Sequence, residues 1–504
     1  MYLGIDIGTS AVKVLLTEDG QATLGSASVP LTTRSPQPGW SEQDAGSWWT
    51  AVVDGCRQLR GSVGDVFGAV RGIGLSGQMH AALCLDARLA PLCPAILWND
   101  NRAVDESAAM ERASPGLARI CGVPPLPGFT APKLLWLREH EPDILARTAH
   151  ILGAKDFVAL KLHGRRVTDM CDASGMLLLD VAARAWSPDL IDAAGISMAM
   201  LPALHEGTDV GGALTSMAAA ELGLPAGLPV AVGGGDVAVG AVGAGVIHDG
   251  TALLSLGTSG QIFVATSGFR PAPAQMLHAF AHCIPGMWSQ MAALLNGARP
   301  LAWFAEIAGV PVGTLLVEAE SASHPPLFLP YLTGERTPHG DPRIRGGFYG
   351  LDNATTRGDM MRGVVEAVAY SFADAAAALR AADTSFADPL VVGGGARSDL
   401  MLQTLADVLG TQVHRGAGAE TGPALGAARL AMVAAGAAGL DEVARPPAIA
   451  RSFEPNGKAA DYHAGRLDLF RAFYRTAKPL ADQAASTRSG SFAPVMNATA
   501  SDIV

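Results

Sequence analysis

The chain has 504 residues, 49% of them apolar and 16% charged, with 59 glycines and a formal net charge of −11. That length and apolar content provide for two domains or three, each with a real core, and exclude a disordered chain. The acidic balance, with no Lys/Arg run, excludes nucleic acid as a partner, because phosphate binding needs a basic footprint.

The opening stretch MYLGIDIGTSAVKVLL has no basic leader segment and carries Asp6 inside its apolar run, so it does not read as a signal peptide. It predicts a strand, a turn at Gly8-Thr9-Ser10 and a second strand. The same pattern returns at residues 252–265, ALLSLGTSGQIFVA, around Gly257-Thr258-Ser259. Two domains of related design follow, each presenting a β-hairpin tipped by Gly-Thr-Ser. Glycine lets backbone N–H groups approach an anion, and the hydroxyls add donors, so such a tip can cradle phosphate oxygens. One copy alone would be an ordinary turn; two copies shift the balance toward phosphate. Asp6 in the first copy corresponds to Ser255 in the second. Only the first hairpin therefore offers a carboxylate to a hard cation, an arrangement suited to a Mg²⁺-nucleotide.

Residues 72–77, GIGLSG, fit the GxGxxG pattern, but no helix opens on them, and a strand end is expected. A phosphate-binding GxxxxGK[ST] loop is absent, since Gly457-Lys458 runs into Ala459. The most apolar region, residues 228–250, is broken by many glycines and by Asp236 and Asp249, unlike a membrane span. Within it, Asp236 follows three glycines and reads two ways: as the cap of a helix over VAVGAVGAG, or as a general base beside a bound hydroxyl. His278 and His282, in LHAFAHC, are spaced to share a helix face as metal ligands. No HExxH pattern accompanies them, and a packing or hydrogen-bonding pair is expected.

Strand-like runs ending in glycines, such as DPLVVGGGARS at 388–398, alternate with helical stretches such as DLMLQTLADVLG and PALGAARLAMVAA, the latter with Pro423 in its first turn. An α/β architecture is expected. The last residues, small and polar without periodicity, read as a flexible tail. Six scattered cysteines (Cys56, Cys84, Cys93, Cys121, Cys171, Cys283) form no CxxC pair. They suit a reducing cytosol, and a soluble cytoplasmic protein without a membrane partner is expected.

Together these stretches resemble the FGGY carbohydrate kinase family. The resemblance rests on IDIGTSAVKV, PGWSEQDAGSWW, LSGQMHAALCLD, PAILWNDNR, GFTAPKLLWL, GGGDVAVGAVGAG, LSLGTSG, FLPYLTGERTPHGDP, VVGGGARS and TGPALGAARLA, in that order from residue 1 to about 430. It narrows to the family's xylulose-phosphorylating branch. It implies a two-domain, actin-like (ribonuclease H-like) fold with a central ligand cleft. Residues 1–246 would form a sugar-binding domain, 247–483 a nucleotide-binding domain and 484–504 a flexible tail. The activity implied is ATP-dependent phosphorylation of D-xylulose to D-xylulose 5-phosphate, and a homodimer is left open.

Carried over by motif, Asp236 matches the family's catalytic base and Asp6 its Mg²⁺-side carboxylate. Thr9, Ser10 and Lys13 would contact phosphate from the first hairpin, Gly257 and Thr258 from the second. Gly394 and Gly395, with Ala396 to Ser398, would border the adenosine. Met79 and His80 match the pair that contacts the ketose, and Trp98, Asn99 and Asp100 would line the same pocket. One position departs from the pattern: Val237 stands where this branch usually carries asparagine. Losing such a polar contact costs about 1–3 kcal/mol. Another pentulose such as ribulose, or a pentitol such as arabinitol, therefore stays open as the acceptor.

Overall fold

A computed structural model describes residues 1–113, 115–417 and 422–487. β1 (Tyr2–Ile7) and β2 (Ala11–Thr17) form the hairpin expected from the first Gly-Thr-Ser turn, with Asp6 opposite Lys13. β1 is buried on both faces except at Asp6, which is half-buried, as suits a continuous apolar run in the middle of a sheet. β3 (Thr23–Pro30) extends the hairpin and alternates half-buried with exposed residues, the signature of a strand covered on one side only. That cover is α1 (Ala45–Val63), whose Leu59 and Val63 press on Gly25. The GIGLSG stretch is strand β4 (Ile73–Gly77), parallel to β1, with Ser76 opposite Asp6. α2 (Ala154–His163) and α3 (Met170–Gly175) follow, then β5 (Val210–Ala213), β6 (Pro229–Ala231) and the short β7 (Gly234–Gly235). The first sheet runs β5-β6-β4-β1-β2-β3, with β7 also pairing β4. α4 (Asp236–Gly243) starts where β7 ends.

The second sheet repeats the plan. β8 (Ala252–Leu256) and β9 (Gly260–Thr266) form the second hairpin, and β10 (Leu277–Ala281) and β11 (Trp288–Leu294) continue it in antiparallel fashion. The long, buried α5 (Arg357–Ala381) leads to β12 (Leu390–Val392), α6 (Asp399–Leu409) and β13 (Val413–Gly416). After α7 (Pro423–Ala434) come β14 (Ile449–Phe453) and α8 (Gly457–Thr487). The strand order is β10-β11-β9-β8-β12-β13-β14. In both sheets the first strand of the hairpin has a parallel neighbour, then a second parallel strand, then an antiparallel edge. Such parallel neighbours require crossovers, which the helices supply.

α7, although late in the chain, returns to the first sheet. It lies so close that a Cβ on Gly4 or Gly74 would sit 1.8 Å from the carbonyl oxygens of Ala424 and Ala427. It also crosses α4, where a Cβ on Gly426 would sit 1.8 Å from the Val239 carbonyl oxygen. Arg429 of α7 is buried and donates to the carbonyls of Val242 and Gly243 at the end of α4, at 2.9 and 3.0 Å. It thereby satisfies carbonyls that a helix end leaves without partners.

α8 continues to Thr487, beyond Ala484, where the tail was expected to begin. The rest of that expected tail, and Thr421 of the TGPALG stretch, lie outside the described residues. No single helix among the described residues is long and apolar enough to cross a membrane.

Candidate active site

The first and second halves of the chain meet at a cavity of about 140 Å³. At roughly 30 Å³ per water molecule this is the scale of a small polyol and far too small for a nucleotide. One wall is a sheet face: side chains alternate along a strand, so Gln261 and Phe263 of β9, His278 and Phe280 of β10, and Ser289 and Met291 of β11 line it together. The first half contributes Met79, His80, Trp98 and Asp236, with Val237 beside Asp236.

His80 sits just past β4 with φ of 68°, a left-handed conformation that a non-glycine residue adopts only when its surroundings impose it. Those surroundings are specific. The His80 carbonyl accepts from Lys133 Nζ at 2.9 Å and from the Thr130 hydroxyl at 3.1 Å. Its Nδ1 lies 2.9 Å from the Gly175 carbonyl oxygen. A carbonyl only accepts, so Nδ1 carries the proton and Nε2 is left as an acceptor. Burial, assisted by Lys133 and Arg336, pushes the His80 pKa down to about 3, keeping the ring neutral.

Asp236 is the first residue of α4, and its Oδ1 accepts from the Val237 N–H at 2.9 Å. Burial, and then the negative charge of Asp6, push its pKa up to about 7. Asp6 itself is pushed up to about 6 by burial, against the opposing pull of Ser76 and Lys13. Its Oδ1 is buried with no hydrogen-bond partner among the described residues. Two carboxylates thus face each other's field, one of them poised to exchange a proton near neutrality.

The hairpin tips differ in their attachments. The Thr9 hydroxyl donates to Gln78 Oε1 at 3.1 Å and accepts from Trp98 Nε1 at 2.9 Å, tying the first tip to the cavity wall. Ser10 is exposed, and Lys13 lies on β2 opposite Asp6. In the second tip, the carbonyls of Gly257 and Thr258 accept from Ala298 and Gly297, which pins the turn. Gly393, at φ of 95°, brings the Gly394–Gly395 loop against the same tip, within 3.0 Å of the Gly257 nitrogen for an added Cβ. Gly395 packs on Leu256, the residue before Gly257, while a Cβ on Gly394 would meet open space; the Ser398 hydroxyl caps α6 by accepting from the Met401 N–H at 3.2 Å.

Two of the residues expected in the sugar pocket do not reach it. Asn99 is exposed and outside the lining. Asp100 is fully buried, and its oxygens accept from the Ser41 N–H at 2.6 Å and from Arg102 at 2.8 and 2.9 Å. Every strong acceptor position of that carboxylate is taken, which makes it a loop-holding residue. Conversely, the wall formed by β9, β10 and β11 was not assigned from the sequence. Its signal was there: Gln261, His278 and Ser289 are polar residues inside otherwise apolar strands. His278 and His282 share a face of a strand and its extension, not a helix, and His282 Nε2 donates to the Val246 carbonyl at 3.3 Å.

α2 and the N-terminal end of α3, with its cap residue Asp169, hold a buried ionic cluster. Lys155 Nζ lies 2.5 Å from Asp156, 3.2 Å from Asp169 and 3.7 Å from Asp172. Burial alone would lower the Lys155 pKa, but the three carboxylates hold it above the ordinary lysine range. Asp172 is driven well upward by burial and by its acidic neighbours, Asp236 included.

Residues 1–243 match the model of the FGGY family of carbohydrate kinases, N-terminal domain, and residues 252–435 match the C-terminal domain of that family. The chain is 40% identical over 487 residues to the xylulose kinase of Escherichia coli (strain K12), covering 95% of this chain and 100% of that one. A crystal structure described as a "xyloylose kinase" from Brucella ovis superposes with a TM-score of 0.92 at 40% identity, covering 95% of this chain and 99% of the other. The xylulose kinase of Rhodospirillum rubrum gives 0.90 at 30% identity, with 95% and 99% covered.

Proposed function

Because the chain belongs to the FGGY family of carbohydrate kinases, we propose that it transfers the γ-phosphoryl group of ATP to D-xylulose, giving D-xylulose 5-phosphate. Asp236 carries the proposal: a carboxyl with a pKa near 7 stands in a polyol-sized cavity beside Met79 and the neutral His80. Asp236 takes the proton from the acceptor's terminal hydroxyl as the oxygen attacks phosphorus. The sugar rests against Met79, His80 and Trp98, largely on residues 1–246. The nucleotide lies toward residues 247–483, with Gly257 and Thr258 at its phosphates and Gly394 and Gly395 at its adenosine, while Thr9, Ser10 and Lys13 reach the phosphates from the first hairpin. Alignment and charge neutralisation are what phosphoryl transfer asks of a protein.

Asp6 fits a role beside Mg²⁺, since its buried Oδ1 lacks a partner among the described residues and its charge raises the Asp236 pKa. Asp6 would hold Mg²⁺ there, and the ion would supply charge neutralisation on the transferring phosphoryl.

A coupled ADP-release assay across D-xylulose, D-ribulose, L-ribulose, D-arabinitol, xylitol and glycerol tests the acceptor. D-xylulose should give the highest kcat/KM; ADP release no faster than without acceptor would overturn the proposal. Val237 in the cavity lining favours a second reading, a different pentulose or a pentitol, which the same panel separates.

Two further outcomes are expected. His80→Ala should raise the acceptor KM at least tenfold more than the ATP KM, about the worth of one buried hydrogen bond. Equal changes in both constants would take His80 out of the sugar site. The pH dependence follows from the raised pKa of Asp236: a base must be ionised, so acceptor kcat/KM should fall as pH drops through about 7. A flat profile between roughly pH 8 and 6 would contradict the role.

A further inference from the structure

His278 stands out among the cavity residues. It is 4% exposed, and neither ring nitrogen has a hydrogen-bond partner among the described residues. Buried polar atoms are almost always paired, and one left unpaired is costly enough to require an explanation. Its aromatic neighbours provide no relief: Phe129 and Phe280 pack against the ring at centroid distances of 5.7 and 5.6 Å. Phe129 in turn packs against His80 at 4.6 Å, so the two histidines flank one aromatic cluster built from both halves of the chain.

The charge state is also defined. Burial, then Arg336 and His80, drive the His278 pKa well below its ordinary value, leaving a neutral imidazole. A neutral imidazole offers one donor and one acceptor. A hydroxyl group offers both in return, whereas an anionic group could use only the donor. The ring therefore matches an uncharged polyol.

We propose that His278 is a sugar-binding residue supplied by the second half of the chain, its two ring nitrogens hydrogen-bonding hydroxyl or carbonyl oxygens of the acceptor. This rests on the sugar kinase function proposed above and adds to it a contact from the second sheet. Acceptor binding then bridges β10 and the His80 segment, so the sugar itself draws the two halves together. His282, already bonded to the Val246 carbonyl, serves as the built-in contrast: same strand face, satisfied and structural.

The test compares His278→Phe and His278→Asn with the wild type for D-xylulose KM, ATP KM, kcat and melting temperature. Phenylalanine keeps the ring volume and removes both polar atoms, which at a site with no partner among the described residues should leave the melting temperature unchanged or higher. Its D-xylulose KM should rise about 10- to 100-fold while the ATP KM stays within about twofold, and asparagine should fall between Phe and wild type. A D-xylulose KM within about twofold of wild type, equal rises in both KM values, or a lowered melting temperature with normal sugar affinity would each overturn the inference. Wild-type protein that turns over D-xylulose while the Phe variant behaves identically sinks His278 alone. Wild-type protein that turns over no acceptor sinks the kinase function, and this inference with it.

Discussion

Asp236→Asn should lower turnover by roughly 10²–10⁴ or more while ATP affinity stays nearly unchanged. The substitution keeps shape and one hydrogen-bond acceptor, so the bond from the Val237 N–H at the start of α4 can persist. What it removes is the ability to take a proton. The effect falls on kcat and on acceptor kcat/KM together, because the lost interaction is made only as the acceptor oxygen develops charge. Steady-state kinetics with nucleotide titration measures both parts. Turnover within a few-fold of wild type would remove Asp236 from the base role.

Lys155→Met should reduce folding stability by about 3–5 kcal/mol, the usual loss when one partner of a buried ionic group is deleted. Here the remaining partners are three carboxylates, and the oxygens Asp156 Oδ2, Asp169 Oδ1 and Asp172 Oδ2 already lack hydrogen bonds among the described residues. Without the ammonium, Asp169 and Asp172, whose pKa values burial already raises, can persist only by binding protons, so the variant should recover part of its stability as pH is lowered. The sign follows from linkage: carboxyls with folded pKa values raised above their unfolded values stabilise at low pH and lose that contribution as pH rises through the folded values. Denaturant unfolding at two pH values measures both effects. A loss below about 1 kcal/mol would mean the cluster is not held by charge.

The hairpins were legible because a Gly-Thr-Ser turn between apolar runs is a local signal, and its recurrence pointed to two related sheets. Strand order was not legible, since β4 pairs β1 across 65 residues of intervening chain with nothing local to specify it. Of the two readings of Asp236, the capping one does not hold: Gly235 is the N-cap, no side chain caps α4, and Asp236 is the first residue inside the helix, where it lines the cavity. Asp100 was misplaced because a carboxylate in ILWNDNR looks the same whether it faces ligand or Arg102, two positions on. His278 and His282 were ambiguous for a geometric reason: a spacing of four fits one face of a helix and one face of a strand equally well. Their different fates, one bonded and one without a partner among the described residues, depend on Val246, which no periodicity could bring into view.

The seam where α7 meets α4 and the first sheet is made of main chain, carbonyl against glycine, with Gly426, Gly74 and Gly4 at its tightest points. A peptide group comes in one size. An engineer wishing to widen or narrow the crevice would find no adjustable shim there, since even a methyl group forces the backbones apart. Retuning this scaffold for a different acceptor must therefore be done at the crevice walls, one side chain at a time.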